Sequence, residues 1–181
     1  MALASCAVNS NPTALPVRDA NVKTLQEATA DANSFLVNRI HTGRYPIKFP
    51  VATKIANHEL FFNNGEQINS YEFVLSTPDG RNVGSIMVDA KDRSENAVSA
   101  LEGQSMSSML DTYYRTALVD VFSKEHLAVT ESRKFIRPYG AVIGFTFQNP
   151  SSSFLQNCAT QEGIWFIFNP SSSPCGMGLE R

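Results

Sequence analysis

Side chains able to do chemistry are few in this chain, and they are far apart. Cys158 would need a histidine beside it to become an activated nucleophile. His41, His58 and His126 all precede it, on segments that read as different elements. The same three histidines have no short ligand spacing of the His-x-x-x-His kind, and Glu59 next to His58 reads as an isolated pair in an exposed turn. Asp79, Asn82, Asp89 and Asp92 supply calcium-type oxygen donors without the spacing of an EF-hand, so a solvated turn is expected there. Glycine-rich phosphate loops are absent. Asn-Pro-Ser at 149–151 and 169–171 is no glycosylation acceptor, because proline occupies the middle position. The expectation is a protein with no catalytic residues, no metal site and no cofactor.

The elements that would position any site can be read from patterning. The clearest stretch is 68–93. Tyr71, Phe73 and Leu75 alternate with Glu72, Val74 and Ser76; then come Pro78, Asp79 and Gly80, and a second apolar run of Val83, Ile86, Val88 and Ala90. Period-2 runs of aromatic and β-branched residues around Pro-Asp-Gly specify strand, turn, strand. Upstream, Val22, Leu25, Ala28, Ala32, Phe35, Leu36 and Ile40 recur at helical steps, which predicts a helix over 21–40 with Asp19 or Asn21 as N-cap and Gly43 as its stop. Residues 45–55 read as extended but carry Pro46 and Pro50, which suits an edge strand or a bulge. Residues 59–62 read as a short strand before an Asn63-Asn64-Gly65 turn, giving three or four consecutive antiparallel strands.

A second helix is predicted over 105–122, from the stripe Met106, Met109, Leu110, Tyr113, Tyr114, Ala117, Leu118, Val121 and Phe122. Its Met and Tyr content suits packing on a sheet and admits, less readily, a ligand groove. Strand patterns return at 127–130, 134–136, 141–147 and 164–168. Asn-Pro-Ser-Ser-Ser follows two of them, at 149–153 and 169–173, and reads as two similar strand exits. Residues 1–18 read as a flexible leader, 19–169 as a single domain and 170–181 as a loop.

Composition narrows the partners. Of 181 residues, 43% are hydrophobic and 18% charged, with a net charge of −2. A charged fraction below the usual ~25% implies a surface of Ser, Asn, Thr and Gln, common among exported proteins. The chain has no basic run, so nucleic acid is not an expected partner. No apolar stretch reaches the roughly 20 residues of a transmembrane helix. Cys158 and Cys175 could close a loop worth about 3 kcal/mol in an oxidising compartment, or be unrelated thiols. Leu3-Ala4-Ser5-Cys6 is similar to a lipobox, in which Cys6 would be lipidated. The segment before it is too short for a signal peptide, leaving a trimmed precursor or a chance match. Together these features suggest a secreted or cell-envelope location.

In element order, residues 20–124 resemble the propeptide of streptopain-type cysteine peptidases and the related PepSY-like modules. The matching features are the helix around 30–36, Tyr71-Glu72-Phe73-Val74-Leu75, the strand from Asn82 to Arg93, the segment 94–103 and the helix 106–122. Gly84-Ser85 departs from the Gly-Tyr of that pattern. No peptidase domain follows, since every histidine precedes Cys158. The resemblance therefore implies a stand-alone module acting as an inhibitor or binding domain.

The aromatic strands admit two readings. Phe145 and Phe147 are expected to share a layer with Phe166 and Phe168, with Trp165 on the other side, either as core or as a patch or edge for a partner. The expectation is an α+β fold: a mainly antiparallel sheet, two principal helices packed on it and a strand-rich C-terminal extension. Its function is expected to be non-enzymatic protein binding, with Tyr71, Phe73, Leu75, Phe145, Phe147, Trp165, Phe166 and Phe168 as interaction residues. The partner is another protein, such as a peptidase, or copies of the chain self-assembling through leader and edge strands into a fibre or shell. A small-ligand pocket between the Met/Tyr helix and the sheet is a third reading.

Overall fold

The computed structural model describes residues 21–50, 52–64, 67–94, 97–138 and 140–170. Its first element is helix α1 (Leu25–Phe35), extended by a widened π-helical turn at Leu36–Ile40. The helix begins later than its apolar stripe suggests. Thr24, not Asp19 or Asn21, is the N-cap, because Glu27 stands at the third helical position and completes a capping box. The Glu27 carboxylate accepts from the Thr24 N–H at 2.6 Å, and the Thr24 hydroxyl accepts from the Glu27 N–H at 3.1 Å.

That box gives the helix a pH dependence. The Thr24 N–H, then the Thr24 hydroxyl and Arg93, hold the Glu27 carboxyl below its ordinary value of 4.5. A carboxyl with a lower pKa folded than unfolded stabilises above the unfolded value and loses that contribution as pH falls through the folded one. Glu27→Gln is therefore expected to lower the urea midpoint at neutral pH and to coincide with the parent protein in acid. Parallel midpoint-against-pH curves for the two proteins would contradict this.

Four antiparallel strands follow as a meander: β1 (Lys54–Phe62), β2 (Ile68–Ser76), β3 (Asn82–Asp89) and β4 (Val98–Glu102). The β2–β3 hairpin has the register its alternation demands, with Tyr71 opposite Val88 and Phe73 opposite Ile86. Its turn closes through Gly80 N–H to Thr77 O at 2.9 Å and Thr77 N–H to Arg81 O at 3.0 Å. Gly84 is required where β3 bends. Its φ is +152°, and an added Cβ would lie 2.1 Å from the Leu101 carbonyl oxygen.

Helix α2 (Met106–Tyr113), a π-helical turn at Tyr114–Leu118 and helix α3 (Val119–Lys124) form one nearly continuous rod. Then come β5 (Val129–Arg137), β6 (Gly140–Phe147), a short helix α4 (Ser153–Cys158), β7 (Thr160–Glu162) and β8 (Trp165–Phe168). The sequence pattern missed α4 and β7. The first Asn-Pro-Ser-Ser-Ser is not merely an exit: its Ser152 caps α4 by accepting from the Phe154 N–H at 3.1 Å. The second lies mostly outside the described residues, as do the leader and most of the C-terminal loop.

All eight strands form one sheet, in the order β4-β3-β2-β1-β5-β6-β8-β7. The fold is α+β, a mostly antiparallel sheet with two main helices and a strand-rich C-terminal region. Helix α1 covers one face of the β1–β4 half, burying Ala28, Ala32 and Phe35 against Tyr71, Phe73, Leu75, Ile86 and Val88. The α2–α3 rod covers the opposite face of the other half, where Leu110, Leu118 and Phe122 meet Phe61, Phe145, Phe147, Phe166 and Phe168. Trp165 and Ile167 point the other way and pack with Phe135 and Val142, as strand alternation requires.

The eight residues expected to meet a partner are all interior, Phe147 being the most exposed at 8%. The reason is coverage of both faces: Tyr71, Phe73 and Leu75 lie under helix α1, Phe145, Phe147, Phe166 and Phe168 lie under the α2–α3 rod, and Trp165 packs on the opposite face with Phe135, Val142 and Ile167. Large apolar side chains on covered strands gain about 1.5–3 kcal/mol each by burial. They form the core, and any contact through these strands has to use other atoms.

Candidate functional site

Of the stretch 45–55, expected to be an edge strand or a bulge, only Lys54 and Ile55 join a strand among the described residues; that strand, β1, lies fourth of eight, in the middle of the sheet. It pairs with β2 along its whole length, from Lys54↔Ser76 to Phe62↔Ile68. On its other side it meets β5 in parallel at only Phe61↔Lys134 and Phe62↔Phe135. Above that joint the strands diverge. Among the described residues no strand lies between 54–60 of β1 and 129–133 of β5. Both stretches are largely exposed. The sheet thus has a notch in its middle, opening into a cleft of about 510 Å³.

Strand alternation sorts the cleft walls. On the α2 side, the Lys134 ammonium lies 3.1 Å from carboxylate oxygens of both Glu59 and Asp111. This three-membered ion group ties β1, α2 and β5 together at the point where the strands part, with Lys134 only 12% exposed. Tyr114 closes the wall from the π-helical turn, its ring 5.0 Å from that of Phe145. On the other side stand His58, with its ring 6.3 Å from Phe73, and Arg133. The Arg133 guanidinium lies 5.0 Å from the Phe62 ring centre and 4.9 Å from that of Trp165, and bonds Glu131 at 2.8 Å.

His58 and Glu59 are therefore not a turn pair. They sit on β1 and point to opposite faces of the sheet. His41 lies elsewhere, its Nε2 3.3 Å from the Thr53 carbonyl oxygen. Asp89 and Asp92 form local turns at one end of the hairpin, accepting main-chain N–H groups of Lys91, Asp92 and Ser94. Asp79 accepts from the Thr77 hydroxyl at the other end. The Thr77 hydroxyl holds the Asp79 carboxyl, and the Ser94 N–H holds that of Asp92, below the ordinary value. Among the described residues, no three His, Cys, Asp or Glu side chains converge. Nor is any helix long and apolar enough to cross a membrane.

Cys158 is buried and disulfide-bonded. Cys6 and Cys175 lie outside the described residues, and so do the lipidation expected at Cys6 and the pairing expected of Cys175.

Three residues that line or support the cleft were missed by patterning. Glu72 alternates with apolar neighbours as an outward residue should, yet it is fully buried and anchors the start of α2. Lys134 and Asp111 are 23 positions apart, with no local signal linking them. Chemically, the cleft offers two open main-chain flanks between walls whose charges are already matched: Lys134 by Glu59 and Asp111, and Arg133 by Glu131. No protein-family model, no curated protein and no solved structure matches this chain.

Proposed function

We propose that the protein is a non-enzymatic, exported binding module that takes up an extended segment of a protein partner as an added strand along the open flank of β1. The observation that carries this reading is the two-pair joint between β1 and β5. Exposed, unpaired strand flanks attract further strands, so native proteins usually blunt them. The outer edges of this sheet are blunted. The Ala100 N–H on β4 is taken by the Tyr45 hydroxyl at 3.2 Å, and β7 is only three residues long. The inner flank has no such cover among the described residues. Strand addition would supply main-chain hydrogen bonds worth about 0.5–1.5 kcal/mol each, with side-chain selection on both faces of the cleft.

Three further features support the reading. The matched charges of the walls favour recognition through main chain over recognition of a charged small molecule. The disulfide at Cys158 suits an oxidising compartment. The resemblance to streptopain-type propeptides makes a peptidase, whose groove accepts extended chain, the first partner to try. A second copy of the chain is the other occupant the flank admits.

Hydrogen exchange tests the open flank directly. In the free protein, the alternate amides of 54–60 that point away from β2 should exchange far faster than those of β2, and a partner should protect them. Exchange in the free protein as slow as in β2 would sink the proposal. Light scattering then separates the occupants. A monomer near 19.9 kDa supports a foreign partner and justifies a peptidase panel. A large assembly that collapses when 1–18 are removed supports self-assembly.

A further inference from the structure

The two walls of the cleft differ in how their charges are shared. On the His58 side, Arg133 and Glu131 form a one-to-one pair at 2.8 Å. On the α2 side, Glu59 and Asp111 share the single ammonium of Lys134. Both Asp111 oxygens lie 3.1 Å from it, whereas Glu59 meets it through Oε2 alone. The Glu72 carboxylate, engaged by Ser85 and the first N–H groups of α2, stands directly across from Glu59 on β2. Arg115, one turn beyond Asp111, donates its Nε to the Asp111 main-chain oxygen rather than to the carboxylate. One ammonium is thus set among three carboxylates. The two that border the cleft, Glu59 and Asp111, are 37% and 41% exposed, while Lys134 is 12% exposed beneath them.

Resting on the strand-uptake reading above, we propose that the segment taken up belongs to a foreign protein and carries a lysine or arginine that projects toward α2, its cation paired with Glu59 and Asp111 beside Lys134. In a strand laid along β1, alternate side chains face α2. A long basic side chain next to Glu59 has an aliphatic stem to lay along Tyr114 and Ile143, which line the cleft, and a head for the two exposed carboxylates. It makes the group at the cleft two anions and two cations, a favourable cross-strand pairing. An uncharged residue there gains nothing from the carboxylates, and an acidic one adds a further anion. Main-chain bonds supply the attraction for any extended segment, and this wall turns the wrong ones away. The chain's own leader fits poorly. Residues 1–17 contain neither lysine nor arginine, and Arg18 follows Pro16 by two positions, a residue that a strand paired on both sides does not accommodate.

The experiment is selection of a random heptapeptide library, matched to the open flank at 54–60, on the full chain, followed by NMR titration of the isotope-labelled protein with the enriched peptides. Those peptides are expected to shift the amides of 54–60 and 129–133 and to share a lysine or arginine at one position. Replacing that residue with glutamine should weaken binding by about fivefold, the upper worth of a cross-strand charge pair, and high salt should shrink the difference. Glu59→Gln should reduce the same preference; Asp111 still holds Lys134 in that variant. Enriched peptides that shift these amides without a basic residue, or that bind equally well with glutamine in its place, overturn the charge requirement and leave strand uptake standing. No enrichment, or shifts confined to other residues, overturns strand uptake and the charge requirement together. If Glu59→Gln does not fold, the paired basic and glutamine peptides on the parent protein decide the matter, and equal affinities overturn the proposal.

Discussion

Replacing Glu72 with alanine is expected to cost about 3–5 kcal/mol of stability, although the change lies on a strand and removes no apolar surface. The Glu72 carboxylate is fully buried. One oxygen accepts from the Ser85 hydroxyl at 2.8 Å and from the Met106 N–H at 2.8 Å; the other accepts from the Ser107 N–H at 2.8 Å. The first N–H groups of a helix have no partners within it, and the positive end of the helix dipole favours an anion there. Glu72 thus caps α2 from the sheet, while Ser105 caps it locally by accepting from the Ser108 N–H at 3.3 Å. Alanine would leave three donors around a cavity. Glu72→Gln keeps the volume but places an amide NH2 among donors, at an expected cost of about 1–3 kcal/mol. Urea unfolding of the two variants should rank alanine below glutamine and both below the parent. A Glu72→Ala protein within about 1 kcal/mol of the parent would show that the carboxylate does not hold the helix. Because α2 carries Asp111 to the cleft, faster exchange at 129–133 should accompany the loss.

Phe122→Ala should have an effect of similar size, about 3–5 kcal/mol, by a different route. Phe122 is 3% exposed, and its ring lies within 5.1–6.3 Å of those of Tyr114, Phe145, Phe147, Phe154 and Phe168. It is the contact through which α3 holds β6, β8 and α4 together. Truncation removes the ring's transfer energy, its edge-to-face contacts and the support for its neighbours. Phe122→Leu keeps most of the volume and should cost about 1 kcal/mol. Thermal or urea unfolding would distinguish them, and equal losses for alanine and leucine would argue against a cavity as the cause.

These expectations show where local pattern is informative. The hairpin could be read because a two-sided alternation and a Pro-Asp-Gly turn are local, and the register of Tyr71 with Val88 follows from them. Both helices could be read from their stripes, although Thr24 and Glu27 moved the first N-terminus by several residues. The separation of Phe166 and Phe168 from Trp165 follows from the period of a strand. The position of β1 could not be read. Pro46 and Pro50 lie before the strand that pairs and therefore say nothing about its place in the sheet. The burial of Glu72 was hidden for a related reason: a polar residue alternating with apolar ones reads as solvent-facing until a helix packs over that face.

The amino-acid sequence by itself determined the hairpin, the two principal helices, most of the other strands and the α+β class, because strand and helix periodicities and turn chemistry act over a few residues. Only the tertiary structure decided which strands are neighbours. Bringing β1 beside β5 joins residues more than seventy positions apart in a parallel joint of only two pairs. The same long-range closure gathers Glu59, Asp111 and Lys134 at the cleft and pairs Arg137 with Glu162. Charge pairing and donor matching between distant segments leave no periodic mark on the chain, so these sites exist only once the sheet has closed.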